Sequence, residues 1–511
     1  MWSAVFFIDI VMKRLTILLS AILFIGSLSA QSSLSFEERA QREFEQFKQQ
    51  NASEFENFRQ QANATYAEFL KHAWREMGLE AALEPPKVDP PVQPVAPPEP
   101  KRNADEPINP KPLAFKGISR VDPPKVTPFP RYEIPEVKPE QEPFLLPMPF
   151  TFFGESCNVR LKPGAGEVTL PIPSNQNISN AWKELSDGRY DAMFADCMAI
   201  REKLKLNDWG YFQLSKCVAE EYCEAKNSNN SKILQAFLMT QAGYKIRMGR
   251  YNNKLFLLFP CNDKISGKCF IRFNDNPTPF YLLDEDAALA QRISMCDVCD
   301  AAFPGEIGFS IDLPQLPEFP FASSISRVHK SARYPDLRVD FEANKNLVDF
   351  FNTYPQAPWK TFALGSLSER TKQSIYPILK KAIEGKDEIA AANVLINFVQ
   401  TGFQYKTDGE QFGRERSLFG DESLYYPYCD CEDRAILYSI LMRDLLGVKA
   451  ALVYYPGHLA TAICFSNGKV YGDYIEVGSD KYTICDPTYI GANVGMTMPN
   501  MNNAEAEVIL I

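Results

Sequence analysis

The chain has 511 residues, 45% hydrophobic and 23% charged, a balance that supports packed cores and excludes a wholly disordered protein. Its net charge of −10, from 54 Lys+Arg against 64 Asp+Glu, argues against a bulk nucleic-acid binder. Only three histidines occur, His72, His329 and His458, so any histidine chemistry must use one of them.

Residues 1–30 read as a secretory signal peptide. Lys13 and Arg14 form a basic start, Leu15 to Leu28 an apolar run, and Ser27, Ser29 and Ala30 a small-residue exit before Gln31. No later segment is apolar over the length of a membrane span, so the expected location is secreted or periplasmic, with no transmembrane segment after signal removal. Export leaves some of the 12 cysteines open to pairing, for example Cys296 with Cys299 or Cys261 with Cys269.

Residues 32–82 are expected to form an amphipathic helix. Phe44 and Phe47, Phe55 and Phe58, then Tyr66 and Phe69 recur every 11 residues, close to three helical turns, which keeps the aromatics on one face. Such a face suits packing, a self-associating coiled coil, or docking to an envelope protein partner. Residues 85–149 hold 20 of the 38 prolines and read as an extended, semi-rigid linker.

Two mixed regions follow, 150–310 and 311–511. The first is expected to carry helices at Tyr190–Lys205, Trp209–Cys223 and Ile233–Ala242 and strands at Lys254–Phe259 and Phe280–Leu283. The second has helical patterns at Asn346–Tyr354, Glu369–Glu384, Ala391–Thr401 and Cys431–Leu446, then strands at Ala450–Tyr455, Leu459–Phe465 and Lys469–Val477. Helices followed by an antiparallel run point to an α+β fold. His329 reads as part of a polar loop.

The strongest local signal is Tyr428-Cys429-Asp430-Cys431-Glu432-Asp433-Arg434-Ala435, leading into an amphipathic stretch that stops at Gly447. Acidic residues in the first turn and glycine past the last bound a helix. Cys431 therefore stands near a helix N-terminus, where free N–H groups and the dipole favour thiolate. The flanking carboxylates oppose this, so an imidazolium is needed. His458, after Gly457 at the start of a strand, is the histidine placed to supply it. Asp486, in Cys485-Asp486-Pro487-Thr488-Tyr489, can orient the ring from one strand further on. Each residue alone also fits a structural role; the ordered set is what points to chemistry. Cys429, Cys464 and Cys485 read as structural thiols.

This set resembles the transglutaminase-like superfamily, whose papain-like core uses Cys, His and Asp in this order. The matching residues are Asp430 to Ala435, Gly447-Val448-Lys449-Ala450, Gly457-His458 and Asp486-Pro487-Thr488. With Asp408-Gly409-Glu410-Gln411-Phe412-Gly413 and Glu422-Ser423-Leu424, the likeness is closest to bacterial transglutaminase-like cysteine proteinases. It implies a transglutaminase-like C-terminal domain, catalytic Cys431, His458 and Asp486, and a calcium site at Asp430 and Glu432; no other cofactor is required. Where that group has a glycine two residues before the nucleophile, this chain has Cys429.

Ser231–Tyr251 also echoes the segment after Cys431: Phe237-Leu238-Met239 matches Ile440-Leu441-Met442, and Ala242-Gly243-Tyr244-Lys245 matches Leu446-Gly447-Val448-Lys449. Cys431 then falls opposite Asn227 or Ser228 and His458 opposite about Lys254, so region 150–310 is expected to be a degenerate copy. The functional expectation is an exported cysteine peptidase or amidase acting on a protein or peptide substrate. Its rivals are a transglutaminase forming Gln–Lys links and a non-catalytic envelope adaptor with a vestigial triad.

Overall fold

A computed structural model describes residues 53, 56–88, 93–96, 110–120, 145–273, 276–283, 292–296, 308–466, 468–499 and 501–511. The signal segment, Phe44, Phe47, Phe55 and Cys299 lie outside the described residues. The protein is α+β, and among the described residues no helix is long and apolar enough to cross a membrane.

Helical residues 56–69 bury Asn63, Tyr66 and Ala67. Tyr66 meets Trp182 edge-on at 4.8 Å, Trp182 Nε1 donates to Asn63 Oδ1 at 3.1 Å, and Gln241 Nε2 donates to the same oxygen at 2.9 Å. Arg59 pairs with Asp191 at 2.9 Å. The repeat does not form one face here: Tyr66 is 5% exposed and Phe58 is 50% exposed. The described part of the expected docking helix is thus packed on the chain's own first region, and His72 lies exposed in the turn that follows.

Strand β1 (Trp74–Gly78) comes next, then two short strands from the proline-rich stretch, β2 (Lys111–Pro112) and β3 (Gly117–Arg120), and the hairpin β4 (Leu146–Phe152) and β5 (Glu155–Leu161). Helices Asn175–Leu185, Asp191–Lys203, Asp208–Tyr222 and Asn229–Gln241 precede β6 (Arg247–Tyr251), β7 (Lys254–Pro260), β8 (Phe270–Phe273), β9 (Asn276–Leu282) and β10 (Arg292–Cys296). The last of these helices begins earlier than the apolar pattern suggests because Ser228 caps it, accepting from Ser231 N. Hairpin β11 (Arg327–Lys330) and β12 (Arg338–Phe341) leads into the second helical set, of which Glu388–Gly402, Asp408–Phe412, Gly420–Tyr425 and Cys431–Leu446 surround the site. The closing strands are β13 (Lys449–Tyr455), β14 (His458–Cys464), β15 (Asp473–Val477), β16 (Asp480–Cys485) and β17 (Glu507–Leu510).

The two large sheets share a strand order. The first runs β1-β10-β6-β7-β9-β8, the second β2-β15-β16-β14-β13-β17-β3. Read from the strand after each buried helix, β6-β7-β9-β8 matches β13-β14-β16-β15, with β10 beside β6 as β17 is beside β13, all antiparallel. The first residues of the equivalent helices are Asn229 and Cys431, and those of the equivalent second strands are Lys254 and His458. Region 150–310 therefore repeats the topology, with Asn229 and Lys254 at the positions of Cys431 and His458.

The two regions are not independent bodies. One continuous apolar core runs through both, and Trp209, Phe309, Tyr354 and Phe419 carry it across the boundary through ring contacts of 5.0–6.4 Å. Trp209 Nε1 donates to Thr353 Oγ1 at 2.9 Å, and Asn207 Nδ2 donates to Tyr354 OH at 2.7 Å. The proline-rich stretch also departs from the expected free linker. Two of its described parts pair with the second sheet, β2 parallel to β15 and β3 parallel to β17, so that it supplies both edge strands. Prolines lack the N–H that a central strand must donate, and an edge spares them that demand.

Cys261 and Cys269, one of the pairs open to bridging, are both free thiols. His329 is not in a loop but buried on β11, stacked on Phe403 at 4.3 Å. Its ring nitrogens face the carbonyls of Gly402 at 3.1 Å and Leu424 at 3.0 Å. Burial holds its pKa below the usual value, against the pull of those two carbonyls. The unfolded chain then takes up the proton first, so this contribution to stability is present above pH about 6.5 and lost as pH falls below it. We expect His329→Gln to flatten the fall in urea midpoint between pH 7 and pH 5 relative to the unsubstituted protein. Equal slopes in the two proteins would place the acid sensitivity elsewhere.

Candidate active site

Helix and strand lengths put Cys431 and His458 at the same end of the fold. The helix Cys431–Leu446 has 16 residues and rises about 24 Å. Gly447, at φ +67, turns the chain in the left-handed conformation that glycine tolerates. Strand β13 then runs 7 residues, about 23 Å, back along the helix to the level of its start. A two-residue turn, Pro456-Gly457 with Gly457 at φ +88, joins Tyr455 to His458. Proline followed by a positive-φ glycine suits a tight turn of this kind, and it makes His458 the first residue of β14. The helix packs across both strands.

Asp486 reaches the same place by a longer route. It follows β16, two strands beyond β14 in the chain rather than one, and β16 is the spatial neighbour of β14. His458 Nε2 and Asp486 Oδ2 lie 2.8 Å apart, with the two residues 0% and 2% exposed. Oδ1 of Asp486 accepts from the N–H groups of Thr488 at 2.9 Å and Tyr489 at 3.2 Å. That carboxylate is held as an acceptor, so Nε2 carries the ring proton and Nδ1 its lone pair. Nδ1 is buried and has no hydrogen-bond partner among the described residues.

Cys431 is fully buried at the first position of its helix. Its Sγ lies 2.5 Å from the Val88 carbonyl oxygen and 3.5 Å from Glu432 Oε2. The first-turn N–H groups of a helix have no intrahelical acceptor and can receive an oxyanion. Burial pushes Cys429, Cys464 and Cys485 above the ordinary thiol value.

Two residues overlooked in the sequence hold this arrangement. Gln400 Nε2 donates to the carbonyls of Asp486 and Ala492, both at 3.0 Å, and its Oε1 accepts from Gly491 N at 3.2 Å. Arg434, 1% exposed, donates to the carbonyls of Cys429, Gln400 and Phe403 at 3.3, 2.8 and 3.0 Å. Together they tie the nucleophile loop to the Asp486 loop. Arg434 lies within the motif itself, whereas Gln400 sits mid-helix with nothing around it to mark it.

Asp430, the N-cap residue, makes no side-chain cap bond. Both of its carboxylate oxygens are buried without a hydrogen-bond partner. Burial, then the charges of Glu432, Asp433 and Asp408, push its pKa well above the carboxylate range. Ligand atoms of Asp408, Asp430 and Glu432 lie within 4.8 Å of one another, all buried. An oxygen-only set of three carboxylates with two unsatisfied oxygens fits a hard divalent cation. Asp408, not singled out beforehand as a ligand, joins the pair because Thr407 caps its short helix there.

In the first region the same corner is filled by an amide. Asn229 Nδ2 donates to the carbonyls of Asn253 at 2.8 Å and Pro171 at 3.3 Å, and its Oδ1 accepts from Leu255 N at 2.8 Å. The topology thus bonds a helix start to a strand start directly, here through the Asn229 amide. No protein-family model, curated protein or solved structure matches the chain.

Proposed function

We propose that this protein is an exported cysteine hydrolase that cleaves peptide or amide bonds on a transglutaminase-like, papain-like core. The observation that carries this reading is the buried His458–Asp486 pair. Its free Nδ1 sits at the end of the layer where the helix of Cys431 begins.

His458 Nδ1 takes the Cys431 proton, and Asp486 stabilises the imidazolium that forms. The thiolate adds to the substrate carbonyl carbon, and first-turn N–H groups receive the oxyanion. As the tetrahedral adduct collapses, Nδ1–H protonates the departing amine and a thioester remains on Cys431. Water, deprotonated by Nδ1, attacks the thioester, releases the acid and restores the thiol. A hard dication such as calcium, held by Asp408, Asp430 and Glu432, would supply positive charge beside the thiolate.

Incubation of the purified mature protein with a peptide library, with and without a free primary amine, tests the reading. Hydrolysis is expected, seen as new carboxyl termini by mass spectrometry, and lost in Cys431→Ala. Amine incorporation in place of new carboxyl termini would select the transglutaminase. Neither product from a folded protein whose Cys431 is open to iodoacetamide would leave a binding module with a vestigial triad.

A further inference from the structure

The proline-rich stretch does more than supply edge strands. Upstream of the site, Glu80 and Phe270 exchange main-chain hydrogen bonds at 2.8 and 3.3 Å, and Gly267 N donates to the Leu83 carbonyl at 2.8 Å. Val88 is fully buried and points its carbonyl oxygen at Cys431 Sγ, 2.5 Å away. Downstream, Gln93 Nε2 donates to the carbonyls of Gln400 at 3.2 Å and Thr488 at 3.1 Å. Ala96 N donates to Ile490 O at 2.7 Å, and Ile490 N donates to Pro94 O at 2.9 Å. Ala96 is buried against Tyr489, Ala492 and Met498. The described stretches 80–88 and 93–96 are therefore anchored on either side of the nucleophile, the second of them along the loop that follows Asp486.

This is how a bound peptide lies, main chain paired to main chain. It is also an unreactive arrangement. A thiol donating to a carbonyl oxygen hands its proton to a group too weakly basic to take it. The nitrogen able to take it, His458 Nδ1, is left without a partner.

We propose that residues 80–88 and 93–96 are an intramolecular occupant of the substrate groove. The groove accepts an extended polypeptide paired along Thr488–Ile490, and the site opens when this segment is displaced. The proposal rests on the hydrolase reading for its meaning, but its test does not need turnover. Because the segment is tethered, its effective concentration is on the order of millimolar, and a substrate in trans must outcompete it.

The measurement is the iodoacetamide labelling rate of Cys431 in the full chain at fixed pH, read by mass spectrometry of the peptide that carries it, with Cys429 and Cys485 as internal controls for unfolding. In the Gln93→Ala, Ala96→Asp double variant, labelling of Cys431 should rise about tenfold or more, from the loss of the downstream anchor. Added synthetic peptide spanning 80–96 should reverse it. An unchanged rate, or no effect of the peptide, overturns the proposal. If the double variant misfolds, the unsubstituted protein decides. In sub-denaturing urea Cys431 should become reactive before Cys429 and Cys485, and simultaneous labelling of all three overturns the proposal. Faster labelling without hydrolysis of any peptide would sink the hydrolase reading alone. Hydrolysis as fast in the unsubstituted chain as in the double variant would sink the occlusion alone.

Discussion

Asp486→Asn should lower the rate of peptide hydrolysis by about 10³- to 10⁴-fold while leaving the fold intact. The reason lies in the tautomer. Asp486 Oδ2 accepts from His458 Nε2 at 2.8 Å while Oδ1 holds two backbone N–H groups. Asparagine can keep its oxygen on those N–H groups, which turns its NH₂ toward Nε2. Nε2 then becomes the acceptor and the ring proton moves to Nδ1, where a donor replaces the base that Cys431 requires. Binding is untouched, so the loss should fall on kcat with KM little changed. The check is steady-state kinetics on a peptide found to be cleaved by the unsubstituted protein in the library experiment, with circular dichroism as the folding control. A loss under about tenfold would show that nothing here depends on a fixed His458 tautomer, and the triad would fall with it.

The second large effect concerns the buried carboxylates. If Asp408, Asp430 and Glu432 hold calcium, adding it to chelator-treated protein at about a hundredfold excess over Kd should contribute about 3 kcal/mol, or roughly 3–4 °C in Tm for a cooperative core of this size. Asp430→Asn should act in two opposite ways. It removes a buried carboxylate whose two oxygens have no partner, so the calcium-free protein should gain about 1–3 kcal/mol. It also removes a ligand, so the response to calcium should largely vanish. Differential scanning calorimetry with and without calcium reads both. An Asp430→Asn protein that is less stable without calcium and still gains the full shift with it would remove the metal proposal.

Local signals made much of the site legible. Cys429 to Ala435 bounded by Gly447 marks a helix start at Cys431, and the structure begins the helix there. Gly457 before His458 marks a turn and the start of a strand, and the register pairs Tyr455 with His458 across it. The echo between Ser231–Tyr251 and the Cys431 segment pointed to Lys254 as the counterpart of His458, and both are the first residues of equivalent strands. Its nucleophile alignment was short by a residue or two, because the Ser228 cap makes Asn229 the first helical residue.

Other features left no readable trace. β16 was absent from the expected strands, so Asp486, expected one strand beyond that of His458, follows the second strand beyond it. His329 read as a loop residue because Lys330 follows it. In β11 every second side chain turns outward, so Lys330 is exposed while His329 is buried.

By itself the sequence marked Cys431, His458 and Asp486 and their order on a helix start, a strand start and a strand end. Helix caps, turn glycines and a single histidine at a strand start are local features, written in neighbouring residues. Tertiary structure alone decided three things: that Asp408 closes on Asp430 and Glu432, that Gln400 ties the two site loops together, and that Val88 covers Cys431. Each of these brings together residues distant in the chain. Such contacts have no period and no composition, and the prolines around Val88 suggest a free linker as readily as a docked one. The physical reason is proline's missing N–H. It keeps the segment out of a central strand, yet leaves its carbonyls free to meet whatever donor the folded protein brings to them, here the thiol of Cys431.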